Sequence, residues 1–369
     1  MTEEANRTDL GQAPEVPDGA RQSGAGQSEA APAFIEDPAV WTSAGVGGKK
    51  GFLKPLGAHH LRSLRELVEK TRHLRMEDIR RSDFDSPEVS ELMNEVRREI
   101  MAGRGAAILS GIDLTSLAAD DFQRICWGLG THLGVAAPQS YRRDRLGFVQ
   151  KEESNPTGRG YLMDVELRSH TDFHEILCLA SVRRAASGGE SGLASSLAVH
   201  NVLREKRPEL LAPLYEGFYQ EWAGEQHVSA QKIPIFCRVG DQVSCYYHPL
   251  AIYNAAKALG VALPAPLAQA LQAFSAEADH PDLRAQFLLE PGEILFWHNF
   301  LLLHSRRAFN DAPGGKRLLM RLWLNVPHGR PMHPAFTGRA RAMDLEHASG
   351  RPAIDYTKYG TFRPALPAT

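Results

Sequence analysis

Ser169-His170-Thr171-Asp172-Phe173-His174-Glu175 gathers imidazoles and carboxylates that can bind a cation, and His304 offers another imidazole far downstream. Extended backbone sends residues two apart to the same face, so on a strand His170 and Asp172 stand side by side. Together they can hold one edge of a divalent metal, with a third donor arriving from elsewhere in the fold. Two His and one carboxylate with open positions are the ligand set of non-haem Fe(II) oxygenases. Alone the His-x-Asp pattern is weak: a single His170 is more often a satisfied polar residue, and a single Asp172 a turn or a cap.

The surroundings of His304 strengthen the pattern. It ends the apolar run Asn299-Phe300-Leu301-Leu302-Leu303, just after the turn Glu290-Pro291-Gly292-Glu293 and the apolar Ile294-Leu295-Phe296-Trp297. Farther on, Arg317 and Arg321 interrupt the core-like stretch Leu318-Leu319-Met320-Arg321-Leu322-Trp323-Leu324. Alternation puts Arg317, Leu319, Arg321 and Trp323 on one face. A buried cation is costly without an anion, and a guanidinium fork suits bidentate capture of a carboxylate. Both Arg on one face therefore suggest a shared anionic pocket. His174 shares the face of His170 and Asp172 if the strand is regular, where it would contact substrate or back the site. His248, His298 and Asn299 read as hydrogen-bonding supports. Asp164 and Glu166, on the loop before the triad, could meet a cationic substrate, although a solvated loop is the commoner reading.

The elements that must position these groups are legible in outline. Residues 1–32 are rich in Ala, Gly, Glu, Gln and Ser, with too little apolar surface to offset the entropy of ordering, and are expected to be a disordered tail. Residues 33–369 are expected to form one domain, with a helical N-terminal part at 58–133. There, Leu61, Leu64, Leu67, Val68 and Leu74 make one helical face. A second helix has Ser86 as cap, Pro87 at its first position, Val89, Leu92, Met93, Val96 and Ile100 as its apolar face, and Gly103 at its end. Gly105 to Ile112 reads as a buried strand, and Asp120 to Leu133 as another helix. The Gly-rich 47–51 is a loop without the spacing of a phosphate cradle.

From about residue 146 to 327 the pattern becomes short strands, expected at 146–150, 175–182, 193–199, 217–222, 233–239, 243–247, 286–290, 293–298, 301–304 and 317–326. Helical insertions are expected near 200–214 and 263–278. Such spacing predicts a mainly β fold with flanking helices, built as a sandwich or a jelly-roll barrel. Tyr246 and Tyr247 read as core aromatics, Arg142-Arg143-Asp144-Arg145 as a solvated loop, and 328–369 as a tail wrapping the surface.

Bulk composition removes other classes. The chain has 369 residues, 43% hydrophobic and 23% charged, with formal net charge −2, so nothing marks a nucleic-acid or anionic-membrane partner. No apolar run approaches the roughly 20 residues of a bilayer span, and the N-terminus lacks a secretory pattern. Cys126, Cys178, Cys237 and Cys245 have no C-x-x-C spacing and read as reduced, buried thiols of a cytoplasmic protein. A homo-oligomer is left open.

The order His170-x-Asp172, Gly188-Gly189-Glu190-Ser191, distant His304, then Arg317 and Arg321 resembles the taurine dioxygenase family, within the clavaminate-synthase-like Fe(II)/2-oxoglutarate oxygenases. The resemblance covers roughly residues 100–327 and is strongest at 168–200 and 290–326. It implies a double-stranded β-helix (cupin-like) core with the metal at the open end. It implies that His170, Asp172 and His304 are the iron ligands, that Arg317 and Ser191 hold the distal carboxylate of 2-oxoglutarate, and that Arg321 supports the co-substrate or meets the primary substrate. Ser191 stands where taurine dioxygenase carries Thr, and the segment from Asp172 to Ser191 is shorter, so taurine is not implied as substrate.

The implied chemistry is decarboxylation of 2-oxoglutarate to succinate and CO2, coupled through O2 to hydroxylation of an unactivated C–H. Asp172 fills the position a halogenase leaves open. Desaturation, cyclisation and bond cleavage use the same iron and stay open. The substrate expected is a small polar metabolite, amino-acid-like or a natural-product intermediate. Two other classes compete. A zinc hydrolase could use the same three ligands with a metal-bound water but has no use for Arg317 with Ser191. A non-catalytic jelly-roll binding protein would have no need of an intact triad.

Overall fold

Apolar residues repeating every three to four positions build the first layer, and apolar residues alternating every two build the rest. The computed structural model describes residues 32–139, 144–153, 155, 160–221, 228–229, 231–327, 329–332 and 335–336. The expected tail, apart from Pro32, and Arg142-Arg143 lie outside the described residues. A short helix α1 (Ser43–Val46) leads through a 3-10 turn, Gly48–Phe52, to β1 (Leu53–Pro55). The expected loop at 47–51 is thus mostly helical turn, pinned by Phe52 in the core.

Helices α2 (Ala58–Thr71) and α3 (Pro87–Ala102) follow, then β2 (Ala106–Ser110) and α4 (Ala119–Thr131). The Ser86 hydroxyl accepts from the Val89 amide at 3.3 Å, and Gly103 closes α3. Its buried residues are Val89, Leu92, Met93, Val96 and Ile100, the face expected from periodicity. Burying such side chains stabilises by about 1.5–3 kcal/mol each. That gain, rather than propensity, holds a helix of this length.

Next come β3 (Val135–Ala136), β4 (Leu146–Val149), β5 (Leu167–His170), β6 (Ile176–Arg183), β7 (Ser187–Gly188) and β8 (Ser191–Ser195). Then α5 (Ser196–Lys206), α6 (Leu211–Glu216), β9 (Phe236–Val239), β10 (Gln242–Cys245), α7 (Pro249–Ala258) and α8 (Ala265–Ala278) lie between the two halves of the β pattern. The chain closes with β11 (Arg284–Phe287), β12 (Ile294–His298), β13 (Leu302–Arg306), β14 (Phe309–Asn310) and β15 (Leu318–Asn325).

Two sheets form the core. The larger runs β1-β2-β12-β6-β15-β3, with β4 also on β15; the smaller runs β11-β8-β13-β5. Every pairing is antiparallel except β1 with β2. Alternation splits the larger sheet into two faces. Leu177, Leu295, Trp297, Leu319 and Trp323 enter the core shared with the smaller sheet. Ile176, Cys178, Ala180, Ile294, Phe296, Met320, Leu322 and Leu324 pack with α2, α3 and α4 residues. This is a double-stranded β-helix with helices outside it.

The structure moves several expected boundaries. The strand expected over 193–199 stops at Ser195, whose hydroxyl accepts from the Ala198 amide at 3.0 Å and starts α5. Of the strand expected at 217–222, the described residues 217–221 contribute the isolated bridges Phe218–Ile233 and Glu221–Val228. Helix α7 was not expected; its signal is Pro249 at the first turn behind His248. Ala335 and Phe336, in the segment expected to wrap the surface, are buried, with Phe336 5.4 Å from the Tyr246 ring. Tyr246 and Tyr247 are core residues, and all four cysteines are buried and free.

Candidate metal and co-substrate site

Strands β5 and β13 are antiparallel neighbours with His170 directly opposite His304. Opposed residues send side chains to the same face, and the two rings lie 4.2 Å apart. Asp172 is delivered differently, because β5 ends at His170 and the chain turns. Asn299 clamps that turn: its Oδ1 accepts from the Asp172 amide at 2.9 Å, and its Nδ2 donates to the carbonyls of Asp172 and His174, each at 2.9 Å. Thr171 is tied to Tyr247, donating its amide to the carbonyl at 2.7 Å and accepting through its hydroxyl at 2.9 Å. Donor atoms of His170, Asp172 and His304 then lie within 4.8 Å of one another.

His170 and Asp172 are in the forms a divalent metal needs. His170 Nδ1 lies 2.8 Å from the Arg168 carbonyl, to which it donates, leaving Nε2 with its lone pair free. Burial, then the neighbouring His304, pushes His170 down to about 3, so it is neutral. Burial alone would raise the Asp172 carboxyl. The hydrogen bond and charge of His304, then Arg321, outweigh that and hold it well below the carboxylate range. Trp323 Nε1 donates to Asp172 Oδ2 at 3.1 Å. A neutral His170 imidazole and an ionised Asp172 carboxylate, with the His304 ring opposite, match the 2-His-1-carboxylate donor set of Fe(II).

Arg317 and Ser191 line one cleft of about 250 Å³, open solvent included, together with Gly188, Gly189, Arg183 and Arg184. Gly188 and Gly189 have φ of +71° and +77°. A Cβ at Gly189 would lie 2.9 Å from Arg317 Nε, so the bare backbone admits the guanidinium. Arg317 is 4% exposed; Nη2 reaches the Gly189 carbonyl at 3.4 Å, while Nη1 is buried without a partner. Among the described residues no carboxylate pairs with its side chain. Burial, then Arg306, pushes it down to about 9. A buried cation lacking an anion fits the distal carboxylate of a dicarboxylic co-substrate.

Arg317 immediately precedes β15, and Arg321 lies within it. Its Nη1 is 3.9 Å from Asp172 Oδ2, and the Tyr161 and Trp323 rings cover it at 4.6 and 4.7 Å. His174 follows the end of β5, so strand alternation no longer sets its face. It is buried and stacks on Trp323 at 5.3 Å. Asp164 pairs with Lys151 at 2.5 Å and Glu166 with Arg307 at 3.0 Å, so both carboxylates already have cations. The supports behave as expected: His298 meets Glu175 at 3.2 Å, and His248 caps α7 beside the His170 ring.

Two residues were missed by the sequence reading. Arg306 is buried and donates to the carbonyls of Gly160, Met163 and Val165 at 3.2, 2.6 and 2.7 Å, tying that loop to β13. Its position two after His304 was the available signal. Gln139 binds Arg321 from a distant segment, and nothing in the sequence marks it.

The model of the taurine catabolism dioxygenase TauD, TfdA family matches residues 65–323. FR-33289 synthase of Streptomyces rubellomurinus is 28% identical over 310 residues, covering 81% of this chain and 89% of that protein. A taurine hydroxylase-like protein of Stachybotrys chartarum is 30% identical over 188 residues, 47% of each chain. Among solved structures, asparagine oxygenase in complex with Fe(II), 2S,3S-3-hydroxyasparagine and succinate superposes with TM-score 0.59 at 16% identity, over 74% of this chain and 93% of its own. The non-heme iron oxygenase OrfP with Fe and alpha-ketoglutaric acid gives 0.54 at 14% identity, over 74% and 94%. At such identity the structural likeness bears on the fold. The family model spans most of the chain, and the chain belongs to the taurine catabolism dioxygenase TauD, TfdA family.

Proposed function

We propose that this chain is an Fe(II)- and 2-oxoglutarate-dependent dioxygenase that hydroxylates an unactivated C–H of a small amino-acid-like or natural-product metabolite. His170, Asp172 and His304 would hold the iron; Arg317, Ser191 and Arg321 would hold the co-substrate. The observation that carries this reading is the buried, anion-less Arg317 beside Ser191, four residues before Arg321, whose guanidinium lies 3.9 Å from Asp172 of the triad. A hydrolytic zinc site has no use for it. Bound iron, with 2-oxoglutarate and O2, supplies the decarboxylation to succinate and CO2 and the oxidising power for the C–H bond.

The chain's own residues supply positions and charge states. The Arg168 carbonyl keeps the His170 Nε2 turned outward, Trp323 and Asn299 fix Asp172, and the buried Trp297 and Trp323 wall the site from water. Asp172 fills the place a halide would need. Asparagine oxygenase and OrfP structures hold hydroxylated asparagine and arginine, which supports an amino-acid-like substrate here. Asp164 and Glu166 remain candidates for a substrate amine only if they exchange their present partners, and His174 acts from behind Trp323. We read residues 33–369 as one dioxygenase domain. Free, buried cysteines support a cytoplasmic setting, and no helix among the described residues is long and apolar enough to cross a membrane. A homo-oligomer is compatible with a site drawn from one chain.

Anaerobic titration of the Fe(II)-loaded protein with 2-oxoglutarate tests the reading. A visible metal-to-ligand charge-transfer band is expected. Bound iron without the band would overturn it. A panel of L-amino acids, scored by succinate release and gain of one oxygen in mass, then tests the substrate class.

A further inference from the structure

Arg321 is held by three residues. Its Nε donates to Gln139 Oε1 at 2.7 Å, and the Tyr161 and Trp323 rings pack against the guanidinium. The remaining edge carries Nη1, 3.9 Å from Asp172 Oδ2. Gln139 is itself fully buried. Its Nε2 donates to the carbonyls of Arg145 and Arg321, each at 2.6 Å. Flipping the amide would set its oxygen against two carbonyl oxygens and its NH2 against the Arg321 Nε–H, so only one orientation works. The backbone is pinned as well, with the Gln139 amide donating to Asp144 at 3.0 Å. Room for the side chain comes from Gly147, which sits opposite Arg321 in the β4–β15 register; a Cβ there would lie 2.8 Å from Gln139 Oε1.

We propose that Gln139 is the positioning residue that turns Arg321 into a fixed two-pronged fork for the metal-side carboxylate of 2-oxoglutarate. The inference rests on the function proposed above. The free edge of the fork lies 3.9 Å from a triad oxygen, so an oxyanion paired with it would sit beside the metal position. A chelating 2-oxo acid places its C1 carboxylate there, whereas a primary substrate must bring its reacting carbon. Gln139 is neutral, so it orients the guanidinium without consuming its charge. A carboxylate at this position would pair with Arg321 and also face two carbonyls.

The test is the anaerobic 2-oxoglutarate titration on Fe(II)-loaded wild type, Gln139→Leu, Arg321→Leu and the double variant, with Gln139→Asn as a second probe should Gln139→Leu fold poorly. A residue acting only through Arg321 loses its effect when Arg321 is gone. Gln139→Leu, and Gln139→Asn whose shorter amide cannot span the gap, are expected to weaken 2-oxoglutarate about tenfold, while the double variant stays within about twofold of Arg321→Leu. Iron loading is expected to stay near wild type in Gln139→Asn, while its thermal midpoint falls because the Arg145 and Arg321 carbonyls lose their donor. Multiplying effects, or an unchanged titration in either single variant, would overturn the proposal while leaving the enzyme class standing. A wild type without the band overturns both.

Discussion

Arg317 shows how a single residue can serve a site at the expense of stability. Its guanidinium is buried without an anion, and burying a charge costs several kcal/mol unless it is paired. Replacing it with an apolar side chain should therefore separate two properties. Arg317→Met is expected to weaken 2-oxoglutarate at least about thirtyfold, the loss of a buried charge pair being worth about 2–5 kcal/mol. In the ligand-free protein the same change should raise the unfolding free energy by about 1–4 kcal/mol. Titration and denaturant unfolding on one preparation check both directions. His170→Ala is expected to abolish iron binding with the circular dichroism spectrum preserved. Normal iron loading of that variant would remove His170 from the ligand set.

At the scale of elements, the site depends on two turns as much as on its strands. Asn299 holds the turn after β5 through three hydrogen bonds to backbone. Asn299→Ala leaves three buried backbone groups unsatisfied, at about 1–3 kcal/mol each. Fe(II) affinity is expected to fall about 10- to 100-fold, as for other supports of metal ligands. An equilibrium dialysis of iron against the variant reads this directly. The Gly188-Gly189 turn sets the approach to Arg317. Gly189→Ala puts a Cβ 2.9 Å from Arg317 Nε at φ +77°, so it should impair 2-oxoglutarate binding while sparing iron. Equal loss of both ligands would show that the turn shapes the whole site.

At the scale of the whole molecule, buried histidines make stability depend on pH. His200 is fully buried, with Nε2 3.1 Å from the Tyr215 hydroxyl, and burial pushes it from 6.5 down to about 4. Because the folded value lies below the unfolded one, the unfolded chain takes up the proton first. This contribution to stability is therefore complete above pH 6.5 and is lost progressively as pH falls toward about 4. The loss is at most about 3 kcal/mol. Urea unfolding of the metal-free protein between these pH values should show a steeper decline for wild type than for His200→Gln. Parallel pH profiles would contradict the assignment.

Local chemistry determined much of this protein before any fold was known. The types and order of His170, Asp172, Ser191, His304, Arg317 and Arg321 can be read along the chain, as can the caps and apolar face of α3. Periodicity also told which residues of β15 share a face, since alternation is a property of one strand alone. Neighbours are a different matter. That β5 lies against β13 with His170 opposite His304 follows from closing two sheets around a core, where no single strand carries the instruction. The same holds for Gln139, which meets Arg321 across 182 positions, and for the cations that take up Asp164 and Glu166. The turn that ends the alternation after His170 is likewise held by Asn299, from another strand's end. Sequence determined the chemistry each segment can offer; tertiary structure decided which offers meet, because buried polar groups are satisfied by partners far away in the chain.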